Sequence, residues 1–551
     1  MIGVVANPSD YAVVGEFFEL FKTPWEFWKP EKSYDVVLCT TGEYPESFRA
    51  QLLLVYSGHR LALDPENVVE DQEGKRAKLL HYKEHEIPVY GNCITFSPGD
   101  MILLAEGISG RPAVLRHKQE EEGGEILRVG YDLFEEINFL LISGQPVEHA
   151  GAPTLDLHIA FLRDQICAAG IPLLEIPPIP QGYRFIACLT HDVDHPRIRR
   201  HRFDHTACGF LYRASIGSLL QVMMGRLSVR ALAKNWAAVL KWPFVQIGLA
   251  RDFWCNFDER YRKIEDGLPS TYFVIPFAGK CGQGVGKLPT TRRAAGYGAR
   301  DIEASLRNVR ANGGEIGLHG IDAWLDSLAG LQELEEIRLL TSEGEIGVRI
   351  HWLCFNEQSP KKLEHAGASY DSTVGYRETV GYRAGTLQAY VPPGASSLME
   401  LPLHVMDTAL FFPGYLGLTT QEADQVLAML VNDAVRFGGC LTINWHDRSL
   451  APERLWTESY SNLLDELRAR GAWFATARQV VAWFRQRRSV EFGPASVAEG
   501  LPASSCIGDG HGSRLPALSL RTYNSQDSSG APGFADVPVG KIGEPQMAVG
   551  N

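Results

Sequence analysis

The sequence predicts an α/β protein: a distorted (β/α) barrel preceded by a small α/β N-terminal domain. Two observations predict it. Between residues 184 and 488, apolar strand-like runs alternate with helical patterns such as "DIEASLRNVRANGG". Those runs also end in polar tips. "RFIACLT" leads into His191–Asp194, "GGEIGLHG" reaches His319, "GVRIHW" reaches His351, "MELPLHVMD" ends at His404 and Asp407, and "CLTINWHD" ends at His446 and Asp447. In β/α barrels the chemistry gathers at the C-terminal ends of the strands.

Taken in order, residues 1–172 read as the N-terminal domain. Short strands ("IGVVAN", "YDVVLCT", "IPVYG") precede two helical segments, "GYDLFEEINFLLIS" and "PTLDLHIAFLRDQICAAG". The Pro-rich stretch 173–183 reads as an extended linker. The barrel occupies 184–488 and carries a helical insertion over 206–265. Residues 489–551, rich in Gly, Ser, Pro and Ala, are expected to lack regular structure.

Composition narrows the function classes. Acidic residues outnumber basic ones, 66 to 53, which argues against nucleic-acid binding. No apolar run approaches the length of a membrane span. The N-terminus reads as a strand and a polar turn rather than a leader. The ten cysteines are scattered without CxxC pairs, so a reducing, cytoplasmic setting is expected. Residues 206–250 stand apart: they hold Arg213, Arg226, Arg230, Lys234 and Lys241, many apolar side chains and no acid. A helical cap on the barrel and a peripheral contact with anionic lipid are both expected readings of that segment.

Asp192 and Asp194 lie two apart, so both share one face of a continuing strand. Two carboxylates that close repel, and a divalent cation relieves the conflict. One would ligate the metal while the other takes a proton. His319 offers an imidazole from another strand tip, and such a set suits zinc or a similar metal. His446 would serve as general acid, and Arg383 would keep the basic carboxylate ionised. These parts describe metal-assisted hydrolysis of an amide or ester.

In their order along the chain, "THDVD", "EIGLHGIDAW", "GYRAGT", "ELPLHVMD" and "INWHD" resemble the five motifs of the polysaccharide deacetylases, carbohydrate esterase family four. The resemblance implies a metal-dependent N-deacetylase of acetamido sugars. It makes Asp192 the base, Asp194 and His319 metal ligands, Arg383 the residue that orients the base, His446 the acid and Asp407 its partner. One position departs. The family's second histidine, four residues after the first, is Ala323 here. Asp322 is the candidate replacement; the alternatives are two protein ligands with several waters, or His195 or His351 completing the shell. A glycan or glycolipid intermediate is the expected substrate. A small amide or formamide, or a non-catalytic glycan-binding role, are the rival readings.

Overall fold

The computed structural model describes the chain except for residues 43–49, 65–67, 71–76, 97–101, 107–109, 119–123, 203, 226, 285–292, 452, 455, 493–514, 527–531 and 540–551. Residues 184–488 form the expected ring of parallel strands. We number them β1 (Phe185–Val193), β2 (Ser270–Val274), β3 (Glu315–Gly320), β4 (Val348–Ile350), β5 (Tyr370–Asp371), β6 (Met399–Glu400), β7 (Val405–Met406) and β8 (Cys440–Asn444). β1 is central, with β2 on one side and β8 on the other. All nine of its residues are buried, which is why it reads as an unbroken apolar run up to its polar end.

The ring closes through one extended segment. β6 pairs with β5, and five residues after its end β7 begins and pairs with β8. Between them, Leu401 N–H donates to Asp371 O at 2.8 Å, Leu403 N–H to Val374 O at 2.8 Å and His404 N–H to Thr442 O at 3.1 Å. Residues 399–406 therefore cross from one edge of the sheet to the other. Helices such as Ser327–Thr341, Thr420–Phe437 and Thr457–Ala469 cover the outside. Their apolar faces meet the strands in one continuous core. Gly317 marks how tightly the interior is packed: a Cβ there would lie 2.6 Å from the Phe273 ring.

Residues 1–172 carry a nine-stranded mixed sheet. Its parallel half contains Ile2–Val5, Val36–Cys39, Leu52–Tyr56 and Glu125–Val129, and its other half is antiparallel. The helix Thr154–Ala168 links this sheet to the barrel. Asp156 accepts from Thr386 Oγ1 at 2.7 Å and from Leu387 N at 2.9 Å.

Two expectations need correction. The stretch taken as a linker contributes a strand, Leu173–Glu175, and part of the stretch expected to lack structure pairs with it. Ser519–Gln526 and Pro532–Pro538 form a hairpin there. Leu518, Leu520 and Tyr523 are buried, so this short alternating apolar pattern is enough to dock a strand on an available edge. No described helix is long and apolar enough to cross a membrane.

Candidate metal centre and acid–base site

Period-two alternation places Thr190, Asp192 and Asp194 on the inner face of β1 and its extension. His191 points outward, where its Nε2 lies 2.8 Å from Glu265. Register then sets the neighbours. His319 on β3 pairs directly with Arg349 on β4, and His351 follows two residues later.

His319 Nδ1 lies 3.0 Å from the Arg349 carbonyl. The Nδ1–H donates there, which leaves the Nε2 lone pair facing Asp194 at 3.4 Å. His351 Nε2 lies 3.6 Å from the same Asp194 Oδ1. The three donor atoms fall within 4.8 Å of one another. Asp194 Oδ1 is buried with no hydrogen-bond partner among the described residues. A buried carboxylate oxygen without a partner, facing two imidazoles, could hold a cation, and one carboxylate with two histidines suits zinc or a similar transition metal.

Asp192 sits beside this set in a different environment. Its Oδ1 accepts from Arg349 Nη1 at 3.1 Å and its Oδ2 from Asn444 Nδ2 at 2.8 Å. Burial pushes the carboxyl up, but Arg349, then His319 and His446, outweigh it and hold the group below the ordinary carboxylate range. Asp194 is likewise pushed up by burial, and His351 and His319 hold it well below. Burial lowers His351 to about 3, so its imidazole is neutral and available as a ligand.

Across the cavity, His446 Nδ1 meets Asp407 Oδ1 at 2.6 Å, and its Nε2 lies 3.8 Å from Asp194 Oδ2. Asp407 also accepts from the His446 N–H at 2.7 Å and from the Ser449 hydroxyl. Burial opposes charge on His446, but Asp407, then Asp194 and Asp192, raise it to about 9. The site thus holds an ionised carboxylate and a protonated imidazole on opposite sides of one cavity of about 410 Å³.

Asp192, Asp194, His319, His446 and Asp407 come together. Two expected residues do not. Arg383 donates to the Gly375 carbonyl at 3.0 Å and packs against Gly144, away from Asp192. Its place beside the base belongs to Arg349, which no motif marked. The signal was a cation two residues before His351 in an apolar strand, hence on the same face. Asp322 also fails as a ligand: Oδ1 accepts from Gln283 N at 2.8 Å and Oδ2 lies 3.8 Å from Lys280. The chain turns after β3, so Asp322 leaves the cavity, and His351 completes the three-residue cluster with Asp194 and His319. Asn444, two before His446, was also missed. His195 contacts His201 at 3.2 Å rather than the metal set.

No protein-family model and no curated protein matches the chain. Among solved structures, one described as a polysaccharide deacetylase from Mycobacterium smegmatis aligns at 18% identity and a TM-score of 0.34, over 61% of this chain and 99% of the other. A second so described, from Pseudomonas aeruginosa PAO1, aligns at 14% identity and a TM-score of 0.35, over 55% and 92%. A branching enzyme from Thermococcus kodakaraensis aligns at 10% identity and a TM-score of 0.30, over 54% and 71%.

Proposed function

We propose that this protein is a metal-dependent hydrolase that removes an N-acetyl group from a sugar-containing substrate, a glycan or glycolipid intermediate. The observation that carries the reading is the division of labour between two aspartates on one strand. Asp194 faces two imidazoles, while Asp192 faces Arg349 and Asn444. A divalent metal held by Asp194, His319 and His351 would supply Lewis acidity toward the acyl carbonyl. Asp192 takes the proton of the attacking water, kept ionised by Arg349 and oriented by Asn444. His446, charged at neutral pH and fixed by Asp407, protonates the departing amine. Trp352, Phe412, Tyr415 and Trp456 line the same cavity and offer ring faces to a sugar.

The test is acetate release from a panel of acetamido sugars, with metal content measured on the same protein. Acetate release that chelation abolishes and zinc restores is expected. Asp192→Asn and His446→Ala should each reduce kcat by about a hundredfold or more while metal stays bound. Formate or ammonia released from small amides, with no acetate from any sugar, would replace this reading.

We also infer a cytoplasmic enzyme that meets an anionic bilayer through its helical insertion. Along the helix Val229–Gln246 and its C-cap, Val229, Trp236, Leu240, Phe244 and Ile247 recur every three to seven residues and are 47–74% exposed. Asn235, Ala238, Trp242 and Val245 are buried beneath. Arg230, Lys234 and Lys241, all exposed, flank the apolar stripe. A solvent-facing apolar stripe with a cationic flank has the form of an interfacial helix. A second copy of this chain would bring the same cations together and repel.

A further inference from the structure

The cavity holds more positive charge than its two aspartates balance. Arg377, Arg448 and Arg454 line it together with the metal set. Among the described residues, none of the three has a carboxylate within ion-pair distance. Arg448 lies over the Trp254 ring at 5.7 Å and Arg377 over Trp352 at 5.4 Å. Arg454 is the most telling. It is 7% exposed, and its guanidinium lies 4.7 Å from the Phe412 ring and 4.8 Å from Trp456. Its Nε is buried with no hydrogen-bond partner among the described residues.

Other buried arginines of this chain show what a purely structural arginine does. Arg487 donates to the carbonyls of Ile176, Glu19 and Leu20. Arg128 donates to Asp64 and to the Ser57 and His59 carbonyls. Arg293 lines the same cavity and its Nε is likewise unpaired, but its Nη2 donates to the Ile321 and His351 carbonyls. Among the described residues Arg454 has no such acceptor, and burial, then the Arg448 and Arg213 charges, disfavour its proton more than the Glu453 and Asp407 charges favour it. A desolvated cation without an acceptor is expensive unless a ligand supplies one. The Phe412 and Trp456 rings, themselves 5.7 Å apart, adjoin one side of the guanidinium and leave the rest of it for an oxyanion.

We infer that Arg454, with Arg448 and Arg377, binds an oxyanion of the substrate, a carboxylate or a phosphate on or next to the acetamido sugar. This rests on the deacetylase reading and narrows its substrate class from any acetamido sugar to an acidic one. The cavity is then bipolar: the acetamido group meets Asp192, Asp194 and His446, and the acid meets the arginines.

The experiment compares kcat/KM at constant ionic strength for three probes: the neutral methyl glycoside of an acetamidohexose, an acetamidohexuronic acid and an acetamidohexose 1-phosphate. At least one acidic probe should exceed the neutral one by about tenfold or more, the scale of charge-assisted hydrogen bonds. The better of the two identifies carboxylate or phosphate. In Arg454→Gln and in Arg448→Gln the acidic-to-neutral ratio should collapse toward one. Arg448 is partly exposed, so its variant guards against a folding defect at Arg454. A neutral probe hydrolysed as well as both acidic ones overturns the inference and leaves the deacetylase intact. Acetate from none of the probes fails the deacetylase reading instead. The arginines are then read by thermal unfolding with inorganic phosphate: a higher midpoint in the wild type, absent in Arg454→Gln, upholds the anion site, and no shift in the wild type overturns it.

Discussion

Replacing Arg349 by methionine should damage both stability and activity, and the amounts follow from its contacts. Arg349 is fully buried. It donates to Ser372 O at 2.9 Å, Ser372 Oγ at 2.9 Å, Thr190 Oγ1 at 2.7 Å and Asp192 Oδ1 at 3.1 Å. Methionine keeps much of the volume and removes the charge and all four bonds. Unit charges at about 4 Å interact by about 4 kcal/mol at an effective dielectric near 20. Breaking a buried pair from one side costs about 3–5 kcal/mol, which agrees. Asp192 is held below the ordinary carboxylate range in the folded protein. Its contribution is therefore present above the unfolded carboxylate pKa and lost as pH falls through the lower folded value. The gap between wild type and Arg349→Met should be widest near neutral pH, about 3–5 kcal/mol in urea unfolding, and should narrow in acid. In the same variant the acid limb of kcat/KM should move toward neutral pH, with a loss of about a hundredfold at pH 7. Arg383→Met should keep near-normal kcat. Wild-type stability and an unmoved acid limb in Arg349→Met, with activity lost in Arg383→Met, would refute the assignment and return the role to Arg383.

His351→Ala should lower metal affinity by about a hundredfold or more, the upper end of what even supporting residues of a metal site contribute. Asp322→Ala should leave affinity unchanged, and zinc competition titration reads both. His404 is buried and lowered to about 4 by burial, so the unfolded chain takes up its proton first as pH drops. Between pH 6.5 and 4 the wild type should lose about 3 kcal/mol that His404→Gln does not lose, measured by urea unfolding across that window. Wild-type protein should sediment with anionic vesicles at low salt and be released at high salt. Changing Arg230, Lys234 and Lys241 to Glu should abolish that sedimentation while acetate release from a soluble probe persists.

The ring and five of its site residues were legible because several strands announced themselves by an apolar run with a polar tip. Asp192, Asp194, His319, Asp407 and His446 all sit at such tips. Arg349 and His351 were harder to read. β4 is only three residues long, too short for its alternation to show which side chains face inward. Arg383 misled because an arginine beside glycine matches a motif in order along the chain, while the fold turns that loop toward Gly144. Asp322 misled because helical spacing after His319 was assumed where the chain turns instead. The hairpin near the C-terminus was invisible because its few apolar residues lie in a segment dominated by Gly, Ser and Pro.

The crossing segment 399–406 has a consequence for how the site comes into being. Asp194 and His351 follow β1 and β4, and His319 lies near the end of β3, on one arc of the ring. Asp407 and His446 follow β7 and β8, on the other. The two arcs meet twice: β1 pairs with β8 from Ile186–Cys440 to Thr190–Asn444, and on the far side this short stretch spans them, its ends pairing with residues near 370 and near 443. The crossing segment is the second fastening of a ring already joined at β1 and β8, and its end brings Asp407 to His446. A chain loosened there would keep His446 beside β1 and would lose the Asp407 contact that fixes its imidazole.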